Sequence, residues 1–187
     1  MSKIYALFDF ELNQKKGLTI EEFVKRANKK EAIYIQYRDK VNLQTKKIEH
    51  IKRLKGLWKG VLLVNDDIDL VVYCDGLHLG QEDFFRFAQD KKIAVKKIRE
   101  IIGDKILGLS THNEDEVKEA NSLDIDYIGL GAYRDTSTKD VQTLLGESIS
   151  TIAKNSKHKV AAIGGVKSSD KIKHIDFLVL GSDIYED

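Results

Sequence analysis

The sequence GVLLVNDD at residues 60–67 decides how the fold is interpreted, because an apolar run stops abruptly at polar and acidic residues. A second apolar run, GLHLG at residues 76–80, stops in the same way at the acidic segment QED, residues 81–83. Short apolar runs joined by crossovers usually pair as buried parallel strands, and the carboxyl ends of such strands meet at one edge of the sheet. Asp66 and Asp83 are therefore predicted to lie on the same edge.

Two carboxylates at one edge of a sheet suggest a site for a hard divalent cation. Mg²⁺ prefers oxygen ligands and usually completes its coordination shell with substrate phosphates. Asp66 and Asp83 therefore predict a Mg²⁺ site for a phosphate-bearing ligand. The alternative for these two residues and for Asp67 is that they cap helices or lie in solvated turns.

Eight apolar runs, most of them followed by a segment with helical spacing, set the fold class. The predicted strands cover residues 4–9, 32–36, 60–65, 76–80, 106–109, 127–131, 160–163 and 177–180. Strands that alternate with helices form a parallel sheet, and eight of them are typical of a (β/α)8 TIM barrel rather than of an open doubly wound sheet. We therefore predict a single α/β barrel domain over residues 1–187.

The length of the chain adds an expectation about the end of the barrel. Such barrels typically take about 250 residues, whereas this chain has 187 residues and ends seven residues after Leu180. The final helix is therefore predicted to be missing. The apolar flank that this leaves near strands one and eight is expected to be covered by a partner or by the C-terminal tail.

The helices are predicted from apolar spacing and from capping residues. Thr19 and Glu22 form the signature of a capping box. Residues 83–102 are long enough for one or two helices. The other predicted helices cover residues 19–30, 42–56, 68–73, 113–120, 141–154 and 168–174.

The composition excludes several classes of partner. The sequence contains 31 Lys and Arg against 30 Asp and Glu, so its net charge of +1 provides no general field for nucleic acid or for an anionic membrane. The single cysteine, Cys74, excludes a disulfide framework and a cysteine-based zinc site. Because no apolar stretch has the length of a signal peptide or of a membrane span, we expect a cytoplasmic protein.

The end of the second strand carries two cations and an amide. Gln36, Arg38 and Lys40 alternate along the strand and therefore share one face. Arg can hold an oxyanion through two hydrogen bonds, and Lys supplies a point charge. This pattern predicts a phosphate clamp, and the alternative is an exposed basic strand end.

Further groups suited to phosphate follow the other strands, at the carboxyl ends where these barrels place their chemistry. Asn65 ends strand three, and Ser110 follows strand five. A polar loop after strand six holds two hydroxyls and an ammonium, and strands seven and eight end in glycines whose backbone N–H groups can approach an anion. These candidates are Thr136, Thr138, Lys139, Gly164, Gly165, Gly181 and Ser182. Two histidines are assigned structural roles, His78 in the core and His112 in a loop or cap.

Together these motifs resemble thiamine-phosphate synthase in order and spacing, from about Ile4 to Ser182. They are QYRDK (36–40), VND (64–66), HLGQED (78–83), STH (110–112), TSTK (136–139) and IGG (163–165). The resemblance implies a barrel enzyme that uses Mg²⁺ to join hydroxymethylpyrimidine diphosphate to thiazole phosphate, forming thiamine phosphate and releasing pyrophosphate. Its partners would be these small molecules, and a homo-oligomer is compatible with the resemblance.

The resemblance also implies a role for each matched residue. Asp66 and Asp83 would bind Mg²⁺, and Gln36 would hold the pyrimidine. The diphosphate would be held by Arg38, Lys40, Asn65, Ser110 and Lys139. Four of these five, without Asn65, are the predicted catalytic residues. The thiazole and its phosphate would be held by Thr136, Thr138, Gly165, Gly181 and Ser182. The implied reaction is dissociative, because diphosphate leaves first and the thiazole nitrogen then captures the pyrimidine cation, so no protein base is needed.

One segment, AYRD at residues 132–135, departs from the family pattern of proline and apolar residues. It leaves two alternatives open. A thiazole tautomerase has the same fold but resembles this chain less, because its catalytic His directly follows the strand-six glycine, where this chain has Ala132. The other alternative is a catalytically silent phosphate-binding paralogue, in which Arg134 obstructs the substrates. The side chains at the predicted metal site favour the synthase.

Overall fold

The strands of the chain close into one barrel. The computed structural model describes residues 2–135 and 144–186. Within these ranges eight parallel strands pair in chain order, and the last strand pairs with the first. The (β/α)8 barrel prediction is confirmed. The strands are β1 (Lys3–Asp9), β2 (Ala32–Arg38), β3 (Val61–Asn65), β4 (Gly76–Leu79), β5 (Ile106–Thr111), β6 (Tyr127–Leu130), β7 (Lys159–Ala162) and β8 (Phe177–Leu180).

Helices cover the outside of the barrel. In the part of the chain that the structure describes, the α-helices are α1 (Phe10–Lys15), α2 (Ile20–Lys29), α3 (Gln44–Leu57), α4 (Lys91–Ile102), α5 (Glu114–Ala120) and α6 (Ser148–Ala153). Short 3-10 helices span Ile68–Tyr73, Glu82–Arg86 and Ser182–Tyr185. None of the helices in these ranges is long and apolar enough to cross a membrane.

Alternation along the strands separates the core into two layers. On β1, Tyr5 and Leu7 belong to the cluster inside the barrel, whereas Ala6 and Phe8 belong to the cluster beneath the helices. Both layers are buried, so the apolar side chains that drive folding are also those that fix the strand register. The interior cluster is completed by Leu63, Tyr127, Ala161, Phe177 and Val179.

The start of α2 follows its sequence signal. The Thr19 hydroxyl accepts a hydrogen bond from the Glu22 N–H at 3.2 Å, and the Glu22 carboxylate accepts one from the Thr19 N–H at 2.8 Å. This is the predicted capping box, which satisfies two N–H groups that have no partner inside the helix.

Two predicted helices are wrong in whole or in part, and one helix was not predicted. Residues 168–174 form turns: the Asp170 N–H donates to the Lys167 carbonyl at 3.1 Å, three residues back, and His174 adopts a left-handed φ of 61°. The helix predicted over 141–154 begins only at Ser148, after Gly146 adopts a φ of 51°. Its residues 141–143 lie outside the described residues. The unpredicted helix is α1, which Asp9 caps by accepting a hydrogen bond from the Leu12 N–H at 2.9 Å.

The C-terminal residues cover part of the flank beside β1 and β8. The 3-10 helix Ser182–Tyr185 follows β8, and its Ile184 and Tyr185 are buried. Arg26 on α2 donates a hydrogen bond to the Tyr185 carbonyl at 3.1 Å. A groove of about 1020 Å³, lined partly by α2, remains beside this segment. The tail therefore packs where the sequence predicts an uncovered flank.

Candidate active site

An acidic pair lies on the rim formed by the carboxyl ends of the strands, which we call the mouth of the barrel. Asp66 directly follows β3 in the left-handed region, at a φ of 60°, and its N–H donates to the His78 carbonyl at 2.9 Å. Asp83 lies after β4 and accepts a hydrogen bond from the Gly80 N–H at 2.9 Å. The two carboxyl groups lie close enough for each to shift the pKa of the other. The structure therefore brings together the two acids that end neighbouring strands.

The charges around this pair differ for its two members. Burial raises the pKa of Asp83, and the negative charge of Asp66 raises it further. Burial also opposes ionisation of Asp66, but the Lys40 ammonium, 2.8 Å from its carboxylate, outweighs burial and lowers the pKa of Asp66 below its ordinary value. Of the two carboxyl groups, Asp66 is therefore the more readily ionised. When both carboxyl groups are ionised, the pair offers neighbouring carboxylate oxygens to a cation.

The donor set fits a Mg²⁺ ion that shares its ligands with a substrate. Within residues 2–135 and 144–186 no cluster of three or more His, Cys, Asp or Glu side chains has metal-binding geometry. Asp66 and Asp83 alone supply too few oxygens to enclose a cation. Mg²⁺ usually binds through one or two carboxylates together with water and substrate phosphates, and this arrangement matches that habit.

Arg38 is held in the mouth by an acid that sequence reasoning missed. Its guanidinium forms an ion pair with Asp9, whose residue is only 5% exposed and whose other carboxylate oxygen caps α1. A second missed residue is the cation Arg86, which donates to the Asp66 carbonyl at 3.2 Å and lies 3.7 Å from the Asp83 carboxylate. The signal for Asp9 was present in the sequence, since it ends β1 as the other acids end their strands.

Gln36 and Ser110 lie on different walls of the barrel. Gln36 is 4% exposed, and its amide donates a hydrogen bond to the Tyr5 hydroxyl. Ser110 follows Leu109 in β5, with its hydroxyl 3.0 Å from His78 Nε2. The Ser110 carbonyl accepts a hydrogen bond from the Gln81 amide at 2.6 Å. Both residues are therefore fixed by contacts within the barrel.

Asn65 and His112 are the other two predicted or candidate residues near this wall. Asn65 ends β3 and is half-buried beside Asp66. His112 lies in the cap of α5, because its N–H donates to the Glu116 carboxylate at 2.8 Å and its Nδ1 lies 3.0 Å from the same oxygen. His112 is therefore oriented by its own helix rather than by the acidic pair.

The other wall of the mouth is made mainly of backbone. Gly164 and Gly165 have φ values of 84° and 61°. A Cβ on Gly164 would lie 2.5 Å from the Ala132 Cβ, and one on Gly165 would lie 2.7 Å from the Arg134 Cβ. Only glycine fits such positions, so the loop after β7 can pack directly on the loop after β6. Gly181 precedes the C-terminal 3-10 helix, which Ser182 begins. Three predicted site residues, Thr136, Thr138 and Lys139, lie outside the described residues.

Arg134 is directed toward the loop after β7. Its guanidinium binds both carboxylate oxygens of Asp170, at 2.8 and 2.9 Å, and donates to the Gly165 carbonyl at 3.1 Å. It also lies 4.2 Å from the centre of the Tyr133 ring. The positive charge that the sequence suggested as an obstruction is thus neutralised by a carboxylate.

Comparison with known proteins places this barrel in a family. The family model described as thiamine monophosphate synthase matches residues 4–177. The thiamine-phosphate synthase of Dictyoglomus thermophilum is 34% identical over 170 residues, which cover 81% of this chain and 72% of that protein. The enzyme of the same name from Persephonella marina is 35% identical over 174 residues, which cover 89% of this chain and 78% of that protein.

Solved structures support the fold. The thiamine phosphate pyrophosphorylase of Pyrococcus furiosus superposes with a TM-score of 0.75 at 23% identity, covering 98% of this chain and 90% of that one. The enzyme called GGGPS from Thermoplasma volcanium gives a TM-score of 0.63 at 12% identity, covering 98% and 88%. From the family match and the relatives' identities, this chain belongs to the thiamine-phosphate synthase family and is a transferase of thiamine biosynthesis.

Proposed function

We propose that the mouth of the barrel joins hydroxymethylpyrimidine diphosphate to thiazole phosphate with Asp66 and Asp83 as Mg²⁺ ligands. The observation that carries this proposal is the Asp66–Asp83 pair with Lys40 against it. When bound, Mg²⁺ would supply positive charge to the departing diphosphate. The proposed diphosphate-binding residues are Arg38, Lys40, Asn65, Ser110 and Lys139.

The chemistry demands little of the protein beyond charge and position. The bond between the pyrimidine methylene carbon and the diphosphate oxygen breaks, and its electron pair leaves with the oxygen. The lone pair of the thiazole nitrogen then forms the new carbon–nitrogen bond. Arg38 and Lys40 stabilise the negative charge that develops on the leaving group, and because Asp9 already orients Arg38, little reorganisation is needed during the reaction.

Binding of the diphosphate must also redistribute the charges now paired within the protein. Lys40 lies 2.8 Å from Asp66 and is half-exposed, so its ammonium can turn toward the substrate when the carboxylate binds a cation instead. The net charge brought in by metal and diphosphate together is small, which lets both partners of this ion pair change contacts without leaving a buried charge alone.

The second substrate is assigned to the backbone wall. Gly165, Gly181 and Ser182 offer N–H groups after β7 and β8, the usual phosphate position of this fold. Thr136 and Thr138 are proposed to complete that site from the loop after β6. In this proposal the thiazole phosphate lies opposite the diphosphate, across the mouth.

Thiazole tautomerisation is less compatible with these side chains. That reaction needs a proton donor and acceptor that titrates near neutrality, and Ala132 offers neither. The unperturbed pKa of a Tyr such as Tyr133 or of an Arg lies about three or more units above neutrality. The hydrogen bond from Arg134 to Asp170 raises the pKa of Arg134 further. We therefore favour the synthase over the tautomerase.

The partners and compartment follow from the same proposal. We infer small-molecule substrates and no nucleic-acid or membrane partner, with support from the net charge of +1. A cytoplasmic enzyme agrees with one buried, unpaired cysteine. Exposed apolar side chains such as Leu43 and Val72 are compatible with a homo-oligomer, which sedimentation would measure.

The experiment is an assay of pyrophosphate release and thiamine phosphate formation with both substrates, with and without Mg²⁺. We expect activity only with the metal, and a loss of at least about 100-fold in Asp66→Ala and in Lys139→Ala. Asp67→Ala is the matched control, because Asp67 follows Asp66 in the sequence but forms its ion pair with Lys47, at 3.4 Å. This variant is expected to retain activity.

Calorimetry separates metal binding from chemistry in the same set of proteins. We expect Mg²⁺ to bind well only when pyrophosphate is present, and Asp66→Ala to lose that dependence. Equal Mg²⁺ affinity with and without pyrophosphate would contradict the shared site. If no pyrophosphate is released under any condition, and Arg134→Phe does not restore release, the silent-paralogue interpretation replaces ours.

A further inference from the structure

A continuous chain of hydrogen bonds crosses the inside of the barrel. It runs from the Gln36 amide to the Tyr5 hydroxyl, which lies 2.9 Å from the Tyr127 hydroxyl. The Tyr127 hydroxyl lies 2.8 Å from His78 Nδ1, and His78 Nε2 lies 3.0 Å from the Ser110 hydroxyl. The chain thus joins the residue proposed to hold the pyrimidine to one proposed to hold its diphosphate.

The strands make room for this chain by omitting side chains beside it. A Cβ on Gly108 would lie 2.2 Å from the Tyr127 ring, and a Cβ on Gly129 would lie 3.2 Å from His78 Cε1. The Tyr127 and His78 rings stack, with their centroids 5.4 Å apart. The three linking residues, which include Tyr5, are each at most 7% exposed. Their polar atoms therefore have no bulk water to replace a lost partner.

The donor at the first residue implies one direction for the chain, because a buried hydroxyl that accepts from one neighbour needs the other neighbour as its own acceptor. Because the Gln36 amide nitrogen donates to Tyr5, the Tyr5 hydroxyl is free to give its own proton to Tyr127. In this direction the Tyr127 hydroxyl gives its proton to His78 Nδ1, which lies 2.8 Å away. Burial raises the pKa of both Tyr5 and Tyr127, so each remains a neutral phenol with one proton to give.

This direction determines the groups at the two ends. A neutral imidazole that accepts at Nδ1 carries its proton on Nε2, so in this direction His78 donates to the Ser110 oxygen. The Ser110 hydroxyl proton is then available to a group outside the chain. At the other end, the amide nitrogen of Gln36 is used, so its carbonyl oxygen is the atom left to accept.

We propose that Tyr5, Tyr127 and His78 are positioning residues that hold this chain in one direction, so that Gln36 presents an acceptor and Ser110 a donor to the pyrimidine diphosphate. The inference rests on the proposed function for its substrate. It adds the direction of the hydrogen bonds and three residues that touch neither substrate. If the chain ran the other way, both ends would present the opposite group to the same substrate atoms.

The first test reads the tautomer of His78 without any substrate. In protein labelled with ¹⁵N histidine, the His78 signal can be assigned among the five histidines by its loss in His78→Gln. We expect a protonated Nε2 and an unprotonated Nδ1. Tyr127→Phe removes the proton given to Nδ1 and is expected to move the His78 proton toward Nδ1. A protonated Nδ1 in the parent protein would overturn the proposal.

The second test uses kinetics with a matched control. Tyr5→Phe and Tyr127→Phe are each expected to raise the KM for the pyrimidine diphosphate about tenfold, the effect of losing one hydrogen bond, with the KM for thiazole phosphate changed less than about twofold. Tyr34→Phe is the control, because its ring contacts Tyr5 at 5.5 Å and its hydroxyl is not part of the chain. It is expected to leave both KM values unchanged.

The outcomes separate this inference from the proposed function. An inactive parent protein with the expected His78 tautomer would refute the synthase assignment and leave the direction of the chain supported. An active parent in which Tyr127→Phe changes neither the tautomer nor the KM for the pyrimidine diphosphate would refute the positioning role. Equal rises in both KM values, with a matching fall in Tm, would indicate general destabilisation and would also refute it.

Discussion

The two halves of the barrel mouth are stabilised by different interactions, ion pairs in one half and close backbone packing in the other. In the half formed by β1 to β5, which we call the ionic half, Arg38 pairs with Asp9 and Lys40 pairs with Asp66. In the half formed by β6 to β8, which we call the glycine half, the backbone at Gly165 is too close to its neighbours for any side chain. The ionic half should therefore respond to changes of charge, and the glycine half to changes of backbone conformation.

The largest effect is expected in the glycine half, from Gly165→Ala. A Cβ there combines a φ of 61° with a 2.7 Å approach to Arg134 Cβ, so we expect a loss of about 3 kcal/mol in the free energy of unfolding. Urea denaturation measures it. Gly17→Ala is the control, because Gly17 has a φ of 68° with no atom within 4 Å and should lose only about 1 kcal/mol. Equal losses would show that the close contact is unimportant.

In the ionic half, Asp9→Asn tests whether Arg38 must be held in place. Asn still caps α1, but the ion pair is lost, so we expect kcat/KM to fall about tenfold with little change in stability. Asp90→Asn is the matched control, since Asp90 caps α4 by accepting a hydrogen bond from the Ile93 N–H at 3.0 Å. An unchanged kcat/KM in Asp9→Asn would make the pair structural only.

A smaller effect is expected where the two loops of the glycine half meet. Arg134→Met removes the contact with Asp170, and we expect a rise of about threefold to fivefold in the KM for thiazole phosphate, because exposed ion pairs contribute about 1 kcal/mol or less. The KM for the pyrimidine diphosphate should not change. In a double-mutant cycle with Asp170→Asn, simple additivity of the two changes would contradict a direct coupling.

The smallest effect is expected at Cys74, which precedes β4 at the opposite end of the barrel from the mouth. Burial raises the pKa of its thiol to about 12, whereas the thiol of an unfolded chain has a pKa of about 8.5. The folded state then holds a proton that the unfolded state loses, so this contribution to stability decreases as the pH rises above about 8.5. Between pH 7 and pH 9 the stability difference between the parent and Cys74→Ala should shrink by about 0.8 kcal/mol.

A thiol reagent provides the corresponding kinetic measurement for Cys74. At pH 8 the folded protein should react far more slowly than the denatured protein, because its buried thiol stays protonated. Rapid modification of the folded protein would show that the opposite end of the barrel opens readily. It would then be unsafe to assign the effects of mouth variants to the mouth alone.

The sequence was sufficient for the barrel and for much of the mouth, because both are local patterns. Apolar runs marked the strands, and the residues that stop those runs are the polar groups of the rim, as at Asn65 and Asp66. Alternation along β2 correctly predicted which positions point inward and which point outward. It could not predict which residues those side chains contact. Gln36 donates a hydrogen bond to Tyr5, and Arg38 forms an ion pair with Asp9. Such pairs depend on the register between β1 and β2.

Errors arose where distant contacts override local preference. The turns over residues 168–174 are held by carboxylates, because Asp170 and Asp183 accept hydrogen bonds from the N–H groups of Lys167 and Ser168. His78 was correctly placed in the core, but sequence spacing could not show its contact with Tyr127, which is 49 positions away. Patterns of neighbours along the chain contain no information about such pairs.

The packing of Gly108 against Tyr127 has a consequence for how such a barrel can change during evolution. One ring occupies the volume above both β6 and its neighbour β5, since a Cβ at position 108 would lie 2.2 Å from that ring. The two positions therefore share a single space, and a larger residue at 108 is tolerated only after the residue at 127 becomes smaller. Substitutions here should covary among descendants of this chain, and a change of ligand preference through this wall requires two mutations in a fixed order.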